Sequence, residues 1–473
     1  MAVFSIIKLS ELERTKRLDA KFYDPYYFDL ENKIKGKKWD YLGNLIIFNR
    51  RGIQPKYSDI PTKYRAVVSQ NLLEDFLDID NLPFVEEDFF NSKQAQVVKI
   101  KPFDVLIYTT GANIGRANIF YPKTIEAIAS NHVNIIRADK SKINQLYLGT
   151  FLQSKIGRDW TNRWARGSDQ EEIYPEDFEK FPVLIVDDNV QNEIANLVLQ
   201  SFEFIETSSE LYSQAENFLL EELGLKDFKP KYEKTYTAKL SDTFSANRID
   251  AEYFQPAYEE VEKYLIKNFS AKPIKKLSFI EVTTGQYSEK YVDESEGMPY
   301  IRGTDLKNGT INTDDLVYIS PEDQIESKKA KEGDVVVTRV GTIGLSARVP
   351  KECEGGTISD NLIRLRFDQQ KLNSYYLTLF LGSPLGVNLM IKNSRGSVQQ
   401  RLNQETLKEV IVPLLPLSTQ QKIASLVQQS HEARKKAKEL LEVAKKAVEI
   451  AIEKSEKEAL GYIQKAFSGE FNH

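Results

Sequence analysis

The residues best suited to chemistry in this chain are basic and aromatic, and they occur in two matched sets. Between Lys155 and Arg166 stand Lys155, Arg158, Arg163 and Arg166 against the single acid Asp159, with Trp160 and Trp164 interleaved. Between Lys392 and Arg401 stand Lys392, Arg395 and Arg401 with no acid. Both carry the motif Arg-Gly-Ser-x-Gln, which begins at the last residue of the first stretch and lies inside the second: Arg166, Gly167, Ser168 and Gln170, then Arg395, Gly396, Ser397 and Gln399. Glycine and serine offer backbone N–H and hydroxyl donors to a phosphate, arginine adds charge, and glutamine can reach a base edge. One such loop reads as a solvated basic turn, whereas a matched pair points to nucleic acid. Arg50, Arg51 and Lys56, then Arg302 and Arg339, are further basic candidates.

Catalytic constellations are missing from this pattern. The histidines, His132, His431 and His473, have no cysteine cluster near them, so neither a zinc site nor a nucleophilic triad is expected. No G-x-x-x-x-G-K-[ST] phosphate loop or G-x-G-x-x-G dinucleotide fingerprint occurs. Asp24-Pro25-Tyr26-Tyr27 is close to an amino-methyltransferase motif but lacks its second proline, and becomes Gln255-Pro256-Ala257-Tyr258 further on, so it reads as a structural turn. The paired Arg17/Asp19 and Arg248/Asp250 read as Arg-Asp pairs fixing a helix start.

The two sets belong to a tandem repeat. "KLSELERTKRLDAKFYDPYY" from Lys8 matches "KLSDTFSANRIDAEYFQPAY" from Lys239, an offset of 231. "FDVLIYTTGANIGRA" matches "GDVVVTRVGTIGLSA", and "SNHVNIIR" matches "SDNLIRLR". From Tyr147 to Val198 against Tyr376 to Val427 the offset is a constant 229, and 17 of 52 columns are identical, where composition would give roughly three. A period of this length makes each copy a domain with its connection. The copies agree least over 41–98 and 278–329, as expected of two related modules with different targets.

The elements that must position the basic loops follow from periodicity. "DVLIYTT" and "DVVVTRV" predict strands, Gly111/Gly115 and Gly341/Gly344 turns, and "HVNIIRA" and "NLIRLRF" strands again. Asn144 and Asn373 are expected N-caps of the helices that follow. Each copy ends in a long helix. Ile194, Leu197, Ser201, Phe204, Ser208, Leu211, Ala215 and Phe218 form one three-four seam. Ile423, Leu426, Ser430, Ala433, Ala437, Leu440, Ala444, Ala447 and Ala451 form the other. Their outer positions from Glu432 to Glu458 are expected in water. The predicted fold is α+β: two homologous mixed domains joined by two long antiparallel coiled-coil helices, with pseudo-two-fold symmetry. The expected segments are 1–187 and 248–417 for the two domains, 188–223 and 418–473 for the helices with the C-terminal tail, and 224–247 for the connector.

The 473 residues carry 41% hydrophobic and 28% charged side chains, enough for several cores and unlike a disordered chain. A net charge of −5 means any affinity for nucleic acid must be local. One cysteine, Cys353, and no signal segment or long apolar run point to the cytoplasm and to no membrane.

Taken together, "RLDAKFYDP" with "RIDAEYFQP", the two glycine turns, the two Arg-Gly-Ser-x-Gln motifs and "QNEIANLV" with "QQKIASLV" resemble the specificity subunit of Type I restriction-modification enzymes. The resemblance covers nearly the whole chain and implies a non-catalytic subunit whose two target-recognition domains read a bipartite site in double-stranded DNA. It also implies two methylation subunits and motor-nuclease subunits as partners. S-adenosylmethionine, ATP and Mg²⁺ would belong to those partners, with no cofactor in this chain. A protein-interaction scaffold with two homologous modules and no DNA binding is the alternative.

Overall fold

The computed structural model describes residues 5–15, 17–121, 124–167, 170–226, 232–277, 280–396 and 400–468. The helices used below are α1 (Pro25–Lys35), α2 (Gln145–Gln153), α3 (Lys155–Trp164), α4 (Asp188–Glu222), α5 (Pro256–Phe269), α6 (Ser374–Gly382), α7 (Pro384–Asn393), α8 (Leu417–Glu453) and α9 (Glu456–Ser468). The strands of the first copy used below are β1 (Ile46–Arg51), β2 (Tyr64–Val67), β3 (Val105–Tyr108), β4 (Ala117–Ile119), β5 (Glu126–Ala129) and β6 (Val133–Ala138). Those of the second are β7 (Ile280–Thr284), β8 (Leu306–Lys307), β9 (Gly309–Ile311), β10 (Val335–Thr338), β11 (Ser346–Arg348) and β12 (Leu362–Phe367). One compact unit comprises Met1–Glu206 with Ala433–His473 and the other Thr207–Glu432, so each draws on part of both α4 and α8. The unit boundaries thus cut through the long helices.

In the first unit an antiparallel sheet runs β1-β6-β3-β4. Its central strands β3 and β6 are mostly buried because both faces are covered, whereas the edge strand β1 carries exposed residues. Val105, Ile107 and Ile136 pack with Tyr147, Leu148 and Phe151 of α2, whereas Leu106, Val133 and Ile135 pack with Tyr64 and Phe90 of the variable segment and with Phe120 just after β4. Strand β2 of that segment pairs in parallel with β5 of the shared frame. Asn144 caps α2 as its sequence predicts, its Oδ1 accepting from the N–H groups of Leu146 and Tyr147. Asp24 likewise caps α1 by accepting from Tyr26 N–H at 2.9 Å, with Pro25 in the first turn, which makes Asp24-Pro25 a helix start.

The second unit repeats the frame with an antiparallel β7-β12-β10-β11 order, and then adds β9 and β8 at the edge. Asn373 caps α6 by accepting from Tyr375 and Tyr376 N–H. The second core joins Val335, Val337, Ile363 and Leu365 to Tyr376, Leu377 and Phe380. The added β8 and β9 lie in the stretch where the two copies share least sequence.

Each long helix is tied to its unit by a buried glutamine. Gln191 accepts from Asn144 N–H and donates to Val186 O; Gln420 accepts from Asn373 N–H and donates to Leu415 O. These are the glutamines of "QNEIANLV" and "QQKIASLV". In the first unit Ile194, Leu197, Val198, Phe202 and Ile205 share a core with Leu440, Leu441, Ala444, Ala447, Val448 and Ala451. In the second, Ser208 meets Ser430 at 3.1 Å and Thr419 meets Glu222 at 3.5 Å, which sets α4 and α8 antiparallel there.

The seam differs from expectation in two respects. Phe204, Leu211 and Phe218 lie at its edge while Ile205, Leu219 and Leu223 are buried. A straight helix drifts about 20° per heptad from a 3.5 repeat, and here the helices pack on domain cores as well as on each other. Lys445, expected in water, is buried and paired with Asp75 at 2.9 Å. Helix α8 also stops at Glu453, and the chain restarts as α9. Among the described residues no single helix is long and apolar enough to cross a membrane.

Candidate nucleic-acid interface

The Arg-Gly-Ser-x-Gln loops are closed by backbone pairing. Arg166 and Glu172 exchange N–H···O bonds of 2.9 and 2.8 Å, and Arg395 and Arg401 exchange bonds of 2.9 and 2.7 Å at the equivalent place. Gly167 and Gly396 have φ of +128° and +119°. A Cβ on Gly167 would stand 2.2 Å from Gln170 O, so the turn admits only glycine. Each closed loop is stitched to the turn after a central strand. Gly111 N–H donates to Glu171 O and Ile173 N–H to Thr109 O in the first unit; Leu402 N–H donates to Arg339 O in the second.

The Arg-x-Asp-Ala motif fixes the approach to each loop from behind. Arg17 pairs with Asp19 and donates to Trp164 O and Ala165 O at the end of α3, while Asp19 accepts from Phe22 N–H. Arg248 does the same with Asp250, Asn393 O and Ser394 O at the end of α7. A guanidinium so placed satisfies helix-terminal carbonyls and complements the negative end of the helix dipole. These Arg-Asp pairs are thus the support on which each loop rests.

In the first unit Arg51, Arg166 and Gln170 come together. Arg51, at the end of β1, donates to Asn131 O, to Glu172 and to Thr110 Oγ1. Arg166 pairs with the buried Asp177 and covers the Tyr174 ring at 5.2 Å. The Gln170 amide nitrogen lies 3.3 Å from where a Gly111 Cβ would be. His132 Nδ1 is 3.2 Å from Thr110 Oγ1. The Tyr174 hydroxyl donates to Glu172 at 2.7 Å and, with the Arg51 guanidinium, holds the Glu172 carboxyl below its ordinary pKa despite partial burial. The mouth therefore mixes cations with an ionised acceptor. In the second unit Arg339, Arg395 and Arg401 occupy the corresponding turn and loop, Arg395 and Arg401 exposed and Arg339 donating to Leu402 O and Asp360 O.

Several expected contacts lie elsewhere. Arg163 is buried, bonded to Glu31 at 2.7 Å and to Phe22 O, and ringed by Phe22, Phe28 and Trp160. Lys392, its counterpart, is buried against Glu262 and Tyr253. Both are corrected from DNA contacts to internal braces between α3 and α1 and between α7 and α5. A buried cation needs its carboxylate, and the sequence places that carboxylate over a hundred residues away. Trp160 is core, not a stacking surface. Arg158 pairs with Glu74 at 2.7 Å, and Arg302 is held by Asp305 and Asp315 O; neither joins the mouth. Arg50 and Lys56 are exposed on and beyond β1. Ser168, Ser397 and Gln399 lie outside the described residues.

Sequence reasoning missed Glu172, Thr110, Asn131 and His132 in the first unit, and Asp360 with the exposed Tyr287 and Tyr291 in the second. One signal was available: in the aligned copies Glu172 stands opposite Arg401.

Residues 272–444 match the family model described as Type I restriction modification DNA specificity domain. Among solved structures, the S subunit of a Type I restriction-modification system from M. genitalium is 13% identical, over 88% of this chain and 95% of that chain, with a TM-score of 0.39. The HsdS subunit from Thermoanaerobacter tengcongensis is 14% identical, over 92% and 97%, with a TM-score of 0.26. No curated protein matches the sequence.

Proposed function

We propose, from the match of residues 272–444 to the Type I restriction modification DNA specificity domain, that the chain belongs to that family and that its two units read the two halves of a bipartite DNA site. The observation that carries this reading is the duplicated mouth: a closed Arg-Gly-Ser-x-Gln loop stitched to a glycine turn, with three arginine or glutamine side chains gathered at each. Arg166, Arg395 and the exposed Arg50 and Lys56 meet phosphates, while groups deeper in the mouth face base edges. Because the loops and inserts of the copies differ, the two half-sites differ in sequence. The chain itself supplies no catalysis. It carries the target choice for two methylation subunits using S-adenosylmethionine and for motor-nuclease subunits using ATP and Mg²⁺, and their cofactors stay with them.

Gel-shift titration of the full chain on duplexes with both halves, one half or neither tests this reading. Tightest binding to the two-half duplex is expected, weakening steeply with salt because phosphate contacts release counterions. Moving the halves apart one base pair at a time should give a sharp optimum. Equal binding to every duplex would refute the reading.

A further inference from the structure

The two mouths share their backbone and differ in one pair of side chains. The Arg166–Glu172 and Arg395–Arg401 exchanges of backbone hydrogen bonds are equivalent, and the closing residue also bridges to Thr110 in one unit and to Val340 in the other. That closing residue is glutamate in the first unit and arginine in the second. The strand end facing it is equivalent as well. Arg51 precedes Gly52 and Thr284 precedes Gly285, and a Cβ on either glycine would lie 2.2 or 2.1 Å from a carbonyl oxygen, of Ala129 or of Ile358. Where the first unit sets Arg51 against Glu172, the second therefore has Thr284 and Arg401.

Pairs that hold the frame are mostly acid and base in both copies: Arg163–Glu31 recurs as Lys392–Glu262, Arg17–Asp19 as Arg248–Asp250 and Arg137–Asp104 as Arg366–Asp334, while Arg166–Asp177 has Arg395 and Thr406 opposite it. At the mouth the chemistry changes while the backbone does not. Glu172 is half-buried, with one oxygen on Arg51 and the other on the Tyr174 hydroxyl. A carboxylate has about four lone-pair sites, so it can still accept from a donor entering the mouth. Arg401 is exposed at the matching place, and a guanidinium carries five N–H donors, so it can bond within its unit and still donate outward. The two side chains have opposite hydrogen-bonding character at one position of one scaffold.

We propose, on the reading that these mouths bind DNA, that this position selects the base: Glu172 accepts a hydrogen bond from a cytosine amino group in one half-site, and Arg401 donates to guanine O6 and N7 in the other. The pairing of carboxylate with the C amino group and of guanidinium with the G edge follows from the major-groove donor and acceptor pattern. Arg51 and Tyr174 act as positioning residues for Glu172.

The test is selection of duplexes from a pool with two randomised stretches, using the full chain. Wild type is compared with Glu172→Gln, with Arg401→Gln, and with Arg51→Thr combined with Glu172→Arg, which transplants the second mouth's pair into the first. Each single variant should enrich the wild-type sequence except at one base pair, where preference falls roughly ten- to a hundred-fold. The affected pairs should lie in different halves, and the double variant should turn its position to guanine. The neutral isostere Glu172→Gln leaves backbone and volume unchanged, and a thermal melt confirms that each variant is folded. Variants that enrich the wild-type sequence at every position, whether affinity holds or falls evenly, overturn the inference and make the residues braces. A wild-type chain that enriches no sequence overturns the DNA-reading assignment itself.

Discussion

Replacing Arg163 with alanine separates an internal brace from a DNA contact within a single basic stretch. Arg163 and Glu31 have side chains 6% and 21% exposed, so their 2.7 Å bond is largely shielded from water. Removing one partner of a buried pair costs about 3–5 kcal/mol, because the other charge stays behind. Here Glu31 keeps Lys35 at 2.5 Å, which favours the lower end. Loss of the guanidinium from the faces of Phe22 and Phe28, 4.7 and 5.2 Å away, takes back part of that relief. A net loss of about 3 kcal/mol remains. For a unit of this size each kcal/mol moves the melting temperature by about 2–4 °C, so Arg163→Ala should melt roughly 6–12 °C lower in calorimetry. Below that temperature its affinity for DNA should match wild type. Arg395→Ala should show the opposite pattern, with an unchanged melt and weakened binding. An Arg163→Ala chain that melts normally and binds DNA poorly would refute the assignment of Arg163 as a brace.

Burial pushes the Asp75 carboxyl toward neutrality, but the Lys445 and Lys438 ammonium groups outweigh it and hold its pKa below the ordinary value; Lys445 is raised in return. The stability that Asp75 contributes is therefore complete above about pH 4, the unfolded carboxyl value, and is lost as pH falls through the lower folded value. Urea titrations from pH 7 to pH 2 should show a shallower acid decline for Asp75→Asn than for wild type, with neighbouring Glu442 unchanged, and an equal slope would exclude the pairing. Gly167→Ala must either push against Gln170 O or open the turn. Forcing a residue with a Cβ into the left-handed region costs about 1–2 kcal/mol, so DNA affinity in a filter-binding assay should fall about tenfold or more while the melt moves only a few degrees.

Local chemistry made much of the fold legible from the residues alone. Asn144 and Asn373 cap helices because a short acceptor stands before an apolar helix, whereas Asp24-Pro25, which reads as a turn in the sequence, starts one. The repeat exposed the duplicated domain, its strands and its glycine turns. What stayed hidden depends on partners remote in sequence. Arg163 looks like a surface cation until Glu31 is brought to it across 132 residues, and Lys445 until Asp75 arrives across 370. The seam shifted by one position at Phe204 and Phe218 because a heptad count takes account of one neighbour, whereas these helices have a domain core beside them as well. At the mouth, Arg51, Arg166 and Gln170 could be named in advance. Glu172 was marked only by standing opposite Arg401, because it is one of three acids in its loop and its hydrogen bonds to Arg51 and Tyr174 are what single it out.

The first unit is discontinuous: Ala433–His473 completes a core begun by Met1–Glu206. During synthesis the second unit has all its residues as soon as Glu432 emerges, whereas the first must wait with Phe202 and Ile205 uncovered until Leu440, Ala444 and Val448 follow. The module translated first is therefore the last to mature. A nascent chain stalled or cut just past Glu432 would carry one finished module and one bare apolar stripe, a target for chaperones and proteases. Truncated forms should therefore be cleared from the cell before they can compete for DNA.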